Sequence, residues 1–90
     1  MAQASSEGLV VALPGDVDLH ARPAADFVRT AMGFVASIQV AAGEREADAK
    51  SLLSVLALGA KRGTEIRLAA NGEDAEAALD ALRDCVENLH

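Results

Sequence analysis

Ninety residues make one domain, long enough to bury roughly 60–65 % of the surface its unfolded chain exposes, so the fold needs no covalent staples. The composition is 51 % hydrophobic but only 2 % aromatic, which gives a core of Ala, Val, Leu and Ile around Phe27 and Phe34 and poorly suits a base-stacking platform for nucleic acid. A formal charge of −6, from 14 acidic and 8 basic residues, argues against general attraction to polyphosphate or anionic lipid.

Residues 1–7, "MAQASSE", are small and polar without a period and read as a flexible lead-in to a domain spanning 8–90. The chain start shows no basic region and apolar run of a secretory signal, and nowhere is there a run of about 20 apolar residues, so a soluble, cytoplasmic protein without membrane insertion is expected. "GLVVALP" is a β-rich run stopped by the turn signal Pro14-Gly15. From Pro23 onward Ala24, Phe27, Val28 and Ala31 recur at i, i+3, i+4 and i+7, one face of a helix that Gly33 ends. "FVASIQVAA" alternates, with Ala36, Ile38 and Val40 on one side, and predicts a half-buried strand. The charged "GEREADA" predicts a turn and a short edge strand protected by its charges. Ser51 fits the N-cap of a short helix, "LLSVLAL", closed by Gly59. "TEIRLAA" is a strand with Ile66 and Leu68 inward, and Asn71-Gly72 is read as a turn. Asp74 to Leu89 is a third helix with Ala75, Ala78, Leu79, Leu82 and Val86 inward. Cys85 shares that face and is read as a small core residue; being the single cysteine, it supports neither a disulfide framework nor a zinc cluster, and no metal or cofactor is expected.

The order βαββαβα places four strands in one antiparallel sheet with all three helices on a single face, an open-faced β-sandwich of the α+β class. Leu9, Val11, Ile38, Val40, Ile66 and Leu68 are expected to meet Phe27, Val28, Leu79, Leu82 and Val86.

The stretch "DLHARPAADFV" carries the chemistry. Pro23 is tolerated in a first helical turn, where its missing N–H has no partner to lose, so the helix starts within a residue or two of Arg22. His20 then lies at the mouth of the helix, where free N–H groups and the positive end of the dipole make a ready anion site. Arg22 adds a guanidinium that can fork onto phosphate oxygens. Neutral imidazole is nucleophilic, and a phosphoryl group gained by His20 would carry its charge to the place where these donors point. Taken by themselves, the residues leave two readings open: a solvated surface histidine, or an anion site with a covalent role.

"LHARPAADFV" resembles the active-site signature of the HPr family, the histidine-containing phosphocarriers of the bacterial phosphoenolpyruvate-dependent phosphotransferase system, and "KSLLSVLALG" resembles the stretch around that family's regulatory serine. The two lie at the family's separation, and the resemblance covers nearly the whole chain from about Gly8. It implies that His20 is phosphorylated on Nδ1 by phosphorylated enzyme I and hands the group to a sugar-specific enzyme IIA, with Arg22 neutralising the phosphoryl oxygens. It also implies a docking patch of Ala21, Ala24, Leu52, Leu53 and Leu56, with Val55 and Leu58 in the core, and a regulatory role for Ser51. Such a protein is a monomeric carrier rather than an enzyme.

Two positions depart from the family's pattern. Where it commonly has a small polar residue and then glycine, this chain has Val17 and Asp18. Val17 offers no hydroxyl or amide to the histidine or its phosphate, and Asp18 is expected to bring a like charge beside the phosphoryl group and weaken its retention. The alternative reading is an HPr-like regulatory module, in a nitrogen-related branch or in catabolite control, acting through Ser51-dependent binding to a transcriptional regulator, with an HPr kinase as further partner. Retention of His20, Arg22 and Pro23 favours the carrier.

Overall fold

A computed structural model describes residues 5–89 of the chain. The elements run β1 (Ser5–Ala12), α1 (Ala21–Met32), β2 (Ser37–Ala42), β3 (Arg45–Asp48), α2 (Leu52–Leu58), β4 (Glu65–Gly72) and α3 (Ala75–Glu87), the βαββαβα order expected. The four strands form one antiparallel sheet in the order β1-β4-β2-β3. Register places Leu9 opposite Leu68, Val11 opposite Ile66 and Val40 opposite Leu68, so the inward side chains of three strands share one face.

Burial follows the period of each element. Along β4 every second residue is buried, and Ile66, Leu68 and Ala70 meet the helices while Arg67 and Ala69 face water. The α1 stripe of Ala24, Phe27, Val28 and Ala31 and the α3 stripe of Ala75, Ala78, Leu79, Leu82 and Val86 are buried against that face. Each expected core residue joins this cluster, with Leu9 half-buried at its margin. Cys85 is also half-buried there, and burial pushes its thiol up.

Strand β3 lies at the sheet edge with Ala47 as its one buried residue, and Arg45, Glu46 and Asp48 are exposed along it. Those charges blunt an edge that would otherwise offer unpaired backbone groups to another chain.

Several boundaries differ from the sequence reading: β2 starts at Ser37 rather than Phe34, and α3 ends at Glu87 rather than Leu89. Strand β1 begins at Ser5 rather than Gly8, because Ser5, Ser6 and Glu7 pair with Gly72, Asn71 and Ala70; the rest of the expected lead-in, residues 1–4, lies outside the described residues. Asn71 and Gly72 accordingly belong to β4 instead of forming a turn. Gly72 is needed there: its φ of 150° suits glycine, and an added Cβ would lie 2.8 Å from the Cα of Ala36. Asp74 sits at the N-cap of α3 without capping it. Its carboxylate instead accepts from the backbone N–H of Val35 and of Ala36, each at 2.8 Å, tying the entry of β2 to the start of α3.

Candidate phosphoryl-acceptor site

His20 is the N-cap of α1, with extended backbone (φ −125°, ψ −172°), and its carbonyl accepts the first helical bond from the N–H of Ala24 at 2.9 Å. Its imidazole makes no capping bond and is exposed. The side chain that could have satisfied the first turn is thus left uncommitted. The N–H groups of Ala21 and Arg22 have no acceptor within the helix, and Pro23 has no N–H to leave unpaired, so two donors and the helix dipole face outward at this end. The backbone leading into His20 is anchored: Leu19 is buried, and its N–H donates to the carbonyl of Ala60 at 2.9 Å.

That bond is one of several joining the loop between β1 and α1 to the loop between α2 and β4. Leu13 N–H donates to the Thr64 carbonyl at 2.9 Å, and Gly63 N–H to the Pro14 carbonyl at 3.1 Å. Between them the Asp18 carboxylate accepts three bonds from Arg62: on Oδ1 from the backbone N–H at 2.7 Å and Nε at 3.3 Å, and on Oδ2 from Nη2 at 3.4 Å. The Arg62 guanidinium and then its backbone N–H hold the Asp18 carboxyl below the ordinary 3.8. The like charge expected beside His20 is present, and the structure adds to it a cation, Arg62, with which Asp18 is paired. An open hollow of about 290 Å³ results, lined by Asp16, Val17, Asp18, His20, Arg22, Pro23 and Arg62. Val17, buried, adds an apolar patch to it and, as expected, no donor.

Arg22 is exposed at the same hollow, beside His20 in sequence and in space. Ala21 is exposed, but Ala24 is fully buried on the α1 stripe, which removes it from any docking patch. Its period with Phe27, Val28 and Ala31 is the reason; the half-buried Ala25 is the neighbour that reaches the surface.

Helix α2 packs on α1 and β3. Ser51 caps it: its Oγ accepts from the Ser54 N–H at 3.4 Å and donates to the Ser54 Oγ at 3.0 Å. Gly59 closes the helix in the left-handed conformation with φ 66°. Val55 and Leu58 are buried, as expected, while Leu53 is 81 % exposed, Leu52 39 % and Leu56 half-buried. These leucines do not line the hollow at His20, so acceptor and apolar patch are separate regions on two packed helices.

Residues 10–88 match the protein family described as "PTS HPr component phosphorylation site". The chain belongs to the HPr family. It is similar to the phosphocarrier protein HPr of Haloferax volcanii, with 46 % identity over 80 residues covering 87 % of this chain and 89 % of that one. It also resembles the multiphosphoryl transfer protein of Xanthomonas campestris pv. campestris, 49 % identical over 71 residues, which are 79 % of this chain but 8 % of that much longer protein. The crystal structure of HPr-C-His from Thermoanaerobacter tengcongensis matches with a TM-score of 0.86 at 37 % identity, over 90 % of this chain and 91 % of that one. The HPr fold, a four-stranded antiparallel sheet in βαββαβα order, is the fold seen here. Asp16 and Arg62 are the hollow residues that the sequence does not single out; for Arg62 the one available signal is a carboxylate at position 18 that calls for a partner.

Proposed function

We propose that this HPr-family chain is a phosphocarrier of the phosphoenolpyruvate-dependent sugar phosphotransferase system, in which His20 takes a phosphoryl group from phosphorylated enzyme I and gives it to an enzyme IIA. The observation that carries the reading is the exposed, uncommitted imidazole at the α1 N-cap, sharing a hollow with Arg22. In the first step the Nδ1 lone pair attacks phosphorus; the N–P bond forms as the bond to the donor breaks, and that bond's electron pair leaves with the donor. The product carries about two negative charges. They fall before the free N–H groups of Ala21 and Arg22, the positive end of α1 and the Arg22 guanidinium. Because these donors stand in place beforehand, little reorganisation is needed as charge arrives. The hollow is open, so the group stays reachable for the second step, in which the acceptor's nucleophile attacks and the pair returns to His20.

Such a protein carries a group and turns over no substrate of its own. The exposed Leu52 and Leu53 on α2 fit the apolar part of a surface shared by donor and acceptor proteins. Ser51, capping the helix that bears them, supports a second and compatible role in which modification at the cap controls docking. Two half-reactions test the carrier reading. Protein phosphorylated by enzyme I and phosphoenolpyruvate, then freed of both, is expected to lose its phosphoryl group to added enzyme IIA. Acceptance without onward transfer to any enzyme IIA would leave the regulatory reading in its place.

A further inference from the structure

Asp18 and Arg62 each call for an explanation at this hollow. A carboxylate there opposes the incoming charge, and Arg62 belongs to a loop far along the chain from His20. The backbone bonds Leu13–Thr64, Pro14–Gly63 and Leu19–Ala60 hold the two loops side by side, so Arg62 stands at this hollow by construction. Asp18 then fixes its direction. Oδ1 takes the backbone N–H and Nε, and Oδ2 takes Nη2, so the carboxylate grips one edge of the guanidinium. A guanidinium has five N–H donors in a rigid fork, and this grip leaves those of Nη1 and one of Nη2 uncommitted to Asp18. Arg62 lines the hollow together with His20 and Arg22, while Val17 contributes no polar group to it.

We infer that Arg62 is a second phosphoryl-facing cation of this site, that Asp18 is the positioning residue that holds it, and that the pair supplies the polar contact Val17 cannot make. The inference rests on the carrier reading and adds to it a residue that touches the phosphoryl group. The Asp18 carboxylate acts through Arg62, and its repulsion of the phosphoryl group is offset by the cation it carries.

The two roles of Asp18 predict opposite signs. If it positions Arg62, removing its charge weakens the phosphorylated state; if it merely repels, removing its charge strengthens that state. The readout is the equilibrium fraction of phosphorylated protein at fixed ratios of phosphoenolpyruvate to pyruvate with catalytic enzyme I, measured by intact mass. Arg62→Gln is expected to lower the phosphorylation equilibrium constant about two- to fivefold, the range of a solvent-exposed ion pair, with Arg62→Lys retaining part of it. Asp18→Asn is expected to lower it in the same direction, and Asp18→Asn with Arg62→Gln to be no worse than Arg62→Gln alone, because the carboxylate has nothing left to position. Melting curves of the free proteins separate this effect from a loss of fold. An unchanged constant in Arg62→Gln, or a raised one in Asp18→Asn, overturns the inference and leaves the carrier reading intact. A wild-type protein that takes no phosphoryl group overturns both.

Discussion

Replacing Ser51 by aspartate keeps an acceptor oxygen at the start of α2 while placing a full negative charge beside Leu52 and Leu53. The wild-type cap is long, with Ser51 Oγ 3.4 Å from the Ser54 N–H, so Ser51→Ala is expected to cost only about 0.5–1 kcal/mol, the lower part of the range for a lost cap. In a domain of this size that corresponds to a melting temperature lower by about 2–8 °C. Aspartate is as good a cap as serine, so Ser51→Asp should melt near wild type. Its effect belongs to docking. For each acidic group of the partner within about 6–8 Å, Coulomb's law at near-aqueous screening gives about 0.5–0.7 kcal/mol of repulsion, a two- to threefold rise in KM, and added salt reduces it. Steady-state phosphorylation by enzyme I at limiting concentrations of this protein measures that rise, with Ser51→Ala as the uncharged control. A wild-type KM for Ser51→Asp at low salt would show that Ser51 is a cap and nothing more. A Ser51→Asp protein melting as low as Ser51→Ala would refute the capping geometry itself.

Asp74 and Asp18 have carboxyls held below the ordinary 3.8 by their hydrogen bonds, from the Val35 N–H foremost for Asp74 and from Arg62 for Asp18. A depressed folded value means that their stabilisation is fully present above the ordinary value and is lost as pH falls through the folded one. Asp74→Asn is therefore expected to be less stable than wild type near neutral pH, with the gap closing in denaturant melts as the pH drops below about 3.8; a constant gap contradicts the assignment. Phe27→Ala empties a fully buried ring position and is expected to cost about 3–5 kcal/mol in urea unfolding. Leu53→Ala, at an 81 % exposed position, is expected to leave stability within about 0.5 kcal/mol and to raise the KM for enzyme I, and an unchanged KM removes Leu53 from the docking surface.

The helices were legible because their apolar residues recur at helical spacing, and α2 because Ser51 and Gly59 bracket it. Strand β3 could be read from its charges, which suit an edge. The start of β1 could not, since "SSE" has no alternating pattern; those residues are extended because Gly72, Asn71 and Ala70 of β4 pair with them. The same pairing draws Asn71-Gly72 into the strand, overriding a local turn preference. At the site, His20 and Arg22 announced themselves through Pro23, which fixes the helix start. The family resemblance implies a docking role for Ala24, but its period with Phe27 and Val28 turns it inward, and the structure follows the period. Asp18 was read as a bare like charge because its partner Arg62 is brought to it only by the backbone bonds between two loops.

The central claim is that His20 is the phosphoryl acceptor, and the most direct measurement is the intact mass of the protein after incubation with enzyme I and phosphoenolpyruvate, before and after mild acid. The account predicts one added phosphoryl group, lost in acid as a phosphoramidate should be, and none on His20→Ala. Full phosphorylation of His20→Ala, or an acid-stable adduct on the wild type, would contradict it.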